Sequence, residues 1–266
     1  MRIHHVRNAT FVIETDSSRI LIDPSLSDKS TLPPFTFIKH PPDKNPTVAL
    51  PDNAKELIKD TTLCLVTHSQ KWGFEPLTHT DHFDKPGKAF LMVNKIPVIC
   101  PIDDVSYMEK NGLEVEAGLT YWQADEISCG RITAVPALHG HNWTHNMMAN
   151  GAGFYLELPN EPSIYISGDT VYTKDVERAL EELKPDVAVV AAGSASLDVG
   201  GAILMPMEEI LTFIEKAPKK VIANHMEALN HCPTTRAQLK GELEKKGLLA
   251  KTYIPENGES FTIELD

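Results

Sequence analysis

The stretch that decides the reading runs from Leu65-Val66-Thr67-His68, across residues 69–78, to His79-Thr80-Asp81-His82-Phe83-Asp84. It opens as the apolar run of a buried strand and ends with His79, Asp81 and His82 inside four residues. Imidazole nitrogen beside carboxylate oxygen suits a borderline divalent ion such as zinc, manganese or iron. The bland alternative is that Asp81 caps the following helix while the histidines lie on its surface. Working outward, three more metal-capable residues stand just past apolar, strand-like runs: His139 after 131–138, Asp169 after 163–167 and His225 after 220–223. With His68 that makes four strand ends offering His or Asp. Such ends are where α/β folds gather their site residues, which argues against surface decoration.

The flanking sequence supplies a layered frame. Residues 2–15 and 19–23 are strand-like and joined at Asp16-Ser17-Ser18, as in a hairpin. Residues 24–51 carry Pro24, Pro33, Pro34, Pro41, Pro42, Pro46 and Pro51, and no helical periodicity survives them. A segment that long without regular structure is a lid, a binding loop, a disordered stretch or a solvated surface loop. Alternation follows: helix at 53–59, strand at 63–67, helix at 85–94, strand at 97–100, and helix at 103–111 closed by Gly112. Strands are then predicted at 119–124, 131–138, 153–158 and 163–167. After them come helix 173–183, strand 186–191, helix 207–216, strand 220–223, helix 235–246, and one or two strands in 252–265 around Asn257-Gly258. Two batches of strands with no linker between them predict one α/β domain over 1–266 with two sheets in the middle.

Composition narrows the partners. With 25 Lys and Arg against 37 Asp and Glu the net charge is −12, a surface that repels phosphate backbones and anionic lipids. No apolar run reaches the roughly 18 residues of a membrane span, and the N-terminus lacks a secretory profile. Four cysteines stand without a C-x-x-C pair. These features predict a cytoplasmic protein acting on a small molecule, without nucleic acid or membrane partners; a homo-oligomer stays open. Of 11 histidines, six lie between His68 and His145.

The ordered series Leu21-Ile22-Asp23-Pro24, His-x-Asp-His at 79–82, Pro136-Ala137-Leu138-His139, Ser167-Gly168-Asp169-Thr170 and His225 through His231 resembles the metallo-β-lactamase superfamily of metal-dependent hydrolases. Within it, the series resembles the branch related to L-ascorbate-6-phosphate lactonase. The resemblance spans nearly the whole chain and implies a four-layer αββα sandwich with an internal pseudo-repeat, two central mixed sheets flanked by helices. It also implies two divalent ions, zinc or manganese, with iron as an alternative. His68, His79 and His139 would hold one; Asp81, His82 and His225 would hold the other; Asp169 would bridge them. The chain departs from the family at one point: the usual His-x-His-x-Asp-His would need histidine at 77, where Leu77 stands. Either the insertion at 69–78 moved the first ligand back to His68, or that ligand is lost, with His141 or His145 near enough to replace it.

Paired divalent ions lower the pKa of a shared water towards about 7 and polarise the centre under attack. The expected reaction is therefore hydrolysis of an ester-like bond by metal-bound hydroxide, with Asp81 and Asp169 orienting water or passing a proton. The resemblance implies a lactone or a phosphorylated sugar-acid lactone as substrate. The alternatives are a phosphodiesterase or nuclease of the same superfamily, a redox di-iron protein, and a non-catalytic metal-binding protein. Trp72, Phe74, Phe35, Phe37 and Trp143 are candidates for an apolar pocket wall, and Arg7 and Asn8 for polar contacts. His4 and His5 are read as non-ligands, His40 as a lid residue or none. Asn230 and His231 are read as outer partners of the ligands, or as helix caps before Pro233.

Overall fold

Alternation along the strands sets the layers. Ile20 and Ile22 point one way and Leu21 the other; Leu63 and Leu65 oppose Cys64; Val187 and Val189 oppose Ala188 and Val190. A strand with apolar residues on both faces must be covered on both. The computed structural model, which describes residues 1–69, 80–141, 143–146, 148 and 151–264, meets that demand with four layers.

The first sheet contains β1 (Arg2–Arg7), β2 (Thr10–Glu14), β3 (Arg19–Ile22), β4 (Leu63–Leu65), β5 (Val98–Pro101), β6 (Val115–Leu119) and the late strand β14 (Ser260–Thr262). The second contains β7 (Ala124–Ile127), β8 (Gly130–Pro136), β9 (Ala152–Glu157), β10 (Ile164–Ile166), β11 (Val187–Ala191), β12 (Lys220–Asn224) and β13 (Thr252–Tyr253). Their orders are β14-β1-β2-β3-β4-β5-β6 and β13-β12-β11-β10-β9-β8-β7. Each sheet has three antiparallel pairings and then three parallel ones, with the switch at β3 in one and β10 in the other. The two halves thus repeat one topology.

Side chains such as Phe11, Ile22, Leu65, Phe154, Ile166 and Val189 fill the space between the sheets. Helices α1 (Ala54–Leu57), α2 (Lys85–Asn94) and α3 (Val105–Lys110) cover the outer face of the first sheet through Leu57, Leu91 and Met108. Helices α4 (Lys174–Arg178), α5 (Met207–Lys216) and α6 (Arg236–Lys246) cover the second through Val176, Ile210, Phe213 and Leu239. No helix among the described residues is long and apolar enough to cross a membrane.

Three local expectations change. Residues 2–15 form two strands, because Asn8 takes a left-handed φ of 58° and turns the chain. The run 119–124 is the crossover between sheets: Leu119 ends β6 and Ala124 starts β7. Residues 252–265 hold two strands, within the expectation, β13 joining one sheet and β14 the other. Asp84, not Asp81, caps α2, its carboxylate accepting from Gly87 N–H at 2.8 Å. The proline-rich residues 24–51 hold no helix or strand beyond a bridge between Leu32 and Asn45, and they fold back over residues 227–230.

Candidate metal centre

Six expected residues converge where the C-terminal ends of strands from both sheets meet. His68 follows β4, His139 follows β8, Asp169 follows β10 and His225 directly follows β12. Asp81 and His82 lie on the approach to α2, and all six side chains are buried. Potential ligand atoms of Asp81, His82, Asp169 and His225 lie within 4.8 Å of one another, as do those of His68, His139 and Asp169. Asp169 belongs to both groups. His79 and Leu77 lie outside the described residues, as do Trp72 and Phe74.

Each ring is held from behind. His82 donates from Nδ1 to Asp23 Oδ2 at 2.9 Å, and His139 donates from Nδ1 to the Ile203 carbonyl at 3.0 Å. His225 Nδ1 lies 3.6 Å from Cys232 Sγ. Thr67 Oγ1 donates to Asp23 Oδ2 at 2.8 Å, so its lone pair is left to receive the Nδ1–H of His68 at 2.9 Å. Asp23 therefore orients His82 directly and His68 through Thr67. An Nδ1 engaged in this way leaves Nε2 to face the centre, the arrangement that metal-binding histidines require.

The centre is tight. Asp169 Oδ2 lies 3.0 Å from His82 Nε2, and 3.5 Å from each of His139 Nε2 and His225 Nε2. His82 Nε2 and His225 Nε2 face each other at 3.0 Å. Asp169 Oδ1 is buried with no hydrogen-bond partner among the described residues. Imidazole nitrogens converging on a carboxylate with unused acceptor capacity form a donor set that fits divalent transition ions. Electrostatics follow the same geometry. Burial opposes charge on His82, but the Asp169 and Asp23 carboxylates outweigh it and raise its pKa to about 10. Burial also opposes the Asp169 anion, yet His225 and His82 hold its carboxyl well below the usual range. For His139 burial prevails and the pKa falls.

Backbone strain marks the same place. Asn8, Asp23 and His225 all adopt left-handed φ values, of 58°, 45° and 59°. Non-glycine residues hold such angles where surrounding contacts over-determine them. Asn8 is one such contact: its amide donates to the Asp81 carbonyl at 3.1 Å and its carbonyl accepts from His225 N–H at 3.0 Å. Gly151 permits another. A Cβ there would stand 2.5 Å from both His68 Cβ and the Thr67 carbonyl.

Other candidates fall elsewhere. Arg7 braces the proline-rich segment, donating to the carbonyls of Val48, Ser25 and Ser27. His141 pairs with Glu209 at 2.6 Å, and neither it nor His145 joins the two groups. His40 reaches Ser196 Oγ, and His4 lies between Ser260 and Glu14. Asn230 pins residues 35–45, accepting from Phe35 N–H and Asn45 Nδ2 and donating to the Thr36 and Pro41 carbonyls. Asp23 carries no role in the sequence reading, although it stands past a strand end just as Asp169 does.

A family model described as the beta-lactamase superfamily domain matches residues 18–226. The UPF0173 protein YddR of Bacillus subtilis is 30% identical over 98% of this chain and 100% of its own length. The chain belongs to the UPF0173 metal-dependent hydrolase family of the metallo-β-lactamase superfamily. This UPF0173 hydrolase is also 26% identical to UPF0173 metal-dependent hydrolase MK1542 of Methanopyrus kandleri, over 98% of the chain and 99% of that relative. Among solved structures it is similar to an isothiocyanate hydrolase from Delia radicum gut bacteria, with a TM-score of 0.86, 28% identity and 99% of each chain covered. A possible metal-dependent hydrolase from Veillonella parvula has the same TM-score and coverage at 26% identity.

Proposed function

We propose that this hydrolase acts on small uncharged carbon electrophiles bearing an apolar group, of the isothiocyanate or lactone kind. The observation that carries this reading is a cavity of about 340 Å³ lined by Phe35, Phe37, Trp143, Met148, Leu197, Asp198 and Val199. Its lining residue Phe35 packs edge-on, with centroids 5.1 Å apart, against His231, which lies within electrostatic reach of Asp81, His225, Asp169 and His139. No Lys or Arg lines it among the described residues. The Asp198 carboxylate is spent on the backbone, accepting from the N–H groups of Phe37, Ile38 and Lys39 at 2.8, 3.0 and 2.8 Å. An apolar wall without cations favours a neutral substrate and disfavours a phosphorylated one. The similarity to an isothiocyanate hydrolase across 99% of both chains supports the first substrate class.

His68, His139, Asp169, Asp81, His82 and His225, with His79, are the residues proposed to hold two divalent ions. When bound, such ions supply a water ionised near neutral pH and polarise the group under attack. Asp169 Oδ2 stays anionic among its imidazoles and orients the attacking water. Asp81, on the same side as His225, accepts the water's proton and returns it to the departing group. Aromatic residues of the cavity hold the apolar substituent and exclude bulk water from the reacting carbon.

The test is a panel assay of manganese- or zinc-loaded protein against aryl and alkyl isothiocyanates, uncharged lactones, a phosphorylated sugar-acid lactone and an aryl phosphodiester. Neutral substrates should be preferred at least about tenfold in kcat/KM, one decade of transition-state binding. Preference for either phosphorylated compound would overturn the reading.

A further inference from the structure

His231 is a buried imidazole that no step above uses. It is 4% exposed and packs against Phe35, which lines the apolar cavity. On the cavity side it meets Phe35, and Ser196 N–H, next to the cavity residue Leu197, donates to its carbonyl at 3.1 Å. It also lies within electrostatic reach of Asp81, His225, Asp169 and His139. Its Nδ1 is buried with no hydrogen-bond partner among the described residues. Burial pushes its pKa down to about 4 against the pull of Asp81, so the ring is neutral and carries one N–H and one lone pair. Leaving a buried ring nitrogen unmatched costs stability that a phenyl ring of similar shape would not. A polar group kept in that state, against a residue that lines an apolar cavity and near the cluster of candidate metal ligands, is placed to meet a ligand.

We propose that His231 is a catalytic residue, its neutral imidazole N–H donating a hydrogen bond to the substrate heteroatom that gains negative charge as water adds to the electrophilic carbon. The assignment rests on the substrate reading given above and deepens it. In that step the water oxygen forms a bond to carbon, and one electron pair of the carbon–heteroatom double bond moves onto the heteroatom. The water's proton passes to the Asp81 carboxylate, and His231 keeps its own. A neutral donor in a desolvated site stabilises the developing charge without attracting anions in the ground state.

The experiment compares metal-loaded wild type with His231→Phe and His231→Gln. It reads metal content, thermal stability, kcat and KM on the best neutral substrate, and the dissociation constant of N-phenethylthiourea, a stable neutral probe. Metal content should stay at the wild-type level, and His231→Phe should be as stable as wild type or more so. In His231→Phe, kcat should fall by about 10²–10³, the usual loss for one such donor, with KM nearly unchanged. His231→Gln, which keeps an N–H, should recover about a tenth of the lost rate or more, and the thiourea, which develops no charge, should bind His231→Phe about as tightly as wild type. Wild-type kcat in His231→Phe overturns the assignment alone, and so does loss of metal, which would make His231 part of the cage. A wild type that neither hydrolyses any neutral substrate nor binds the thiourea overturns the substrate reading, and the assignment falls with it.

Discussion

Asp23 and Asp169 approach the same imidazole from matching places in the two halves. β3 and β10 each stand at the switch from antiparallel to parallel pairing. Asp23, just past β3, takes His82 Nδ1 at 2.9 Å; Asp169, just past β10, lies 3.0 Å from His82 Nε2. Their surroundings differ. Asp23 is engaged at both oxygens, Oδ1 accepting from Thr67 N–H and Oδ2 from Thr67 Oγ1, both at 2.8 Å, besides the His82 ring. Asp169 stands past Gly168, whose φ of 62° turns the chain inward, and its Oδ1 has no donor among the described residues. A carboxylate engaged at both oxygens orients its partners; one with an oxygen in reserve has capacity for a cation. The same topology thus yields a positioning carboxylate in one half and a candidate ligand in the other.

The comparison is broken most directly at Asp169. Asp169→Ala should lose at least one ion and lower turnover by about 10³ or more; elemental analysis finding two retained ions would remove the bridging role. His68→Ala comes next and should weaken one site only, read as one ion lost in a metal titration. Unchanged stoichiometry there would show that the insertion has not preserved this ligand. Asp23→Asn should keep the stoichiometry but weaken metal affinity by about 10–100-fold, since it loosens His82 and His68 together. Wild-type affinity in competition with a chelator would erase the distinction between the two carboxylates.

The smallest effect isolates what carboxylates do to a buried imidazole. His5 in β1 is as buried as His82 but has Arg236 rather than a carboxylate as its chief charged neighbour among the described residues, and burial, with Arg236 adding to it, pushes its pKa down to about 3. The folded state therefore stays unprotonated at His5 while the unfolded state takes up a proton below about pH 6.5. Stability from this residue is complete above pH 6.5 and is lost as the pH falls towards 3, at up to about 1.4 kcal/mol per pH unit. His5→Gln should flatten the stability–pH curve over that window in denaturant titrations. An unchanged slope would contradict a neutral buried His5.

Much of this was legible in sequence because it is local. An apolar run followed by His or Asp identifies a strand end whatever lies opposite, and that signal located His68, His139, Asp169 and His225. The period-2 pattern of Leu63-Cys64-Leu65 and its like announced strands buried on both faces. Destination was less legible than type. Leu119 and Ala124 resemble one strand because β-branched and aromatic neighbours surround them, yet they belong to different sheets. Strand propensity is silent about partners, so the split of 252–265 was equally hidden. The role of residues 24–51 also depended on distant groups: Asn230 and Asp198 hold them with hydrogen bonds from about 160 to 195 positions away.

Residue chemistry and strand-end position pointed to an α/β domain with two central sheets and to a His and Asp cluster able to hold metal ions. Folding decided that Asp23 is engaged at both oxygens while Asp169 keeps one unmatched, and that His231 meets Phe35 of an apolar cavity. The reason is physical: a side chain's capacity to ligate or donate depends on which of its atoms remain unmatched after folding. Those partners come from chain segments far apart in sequence.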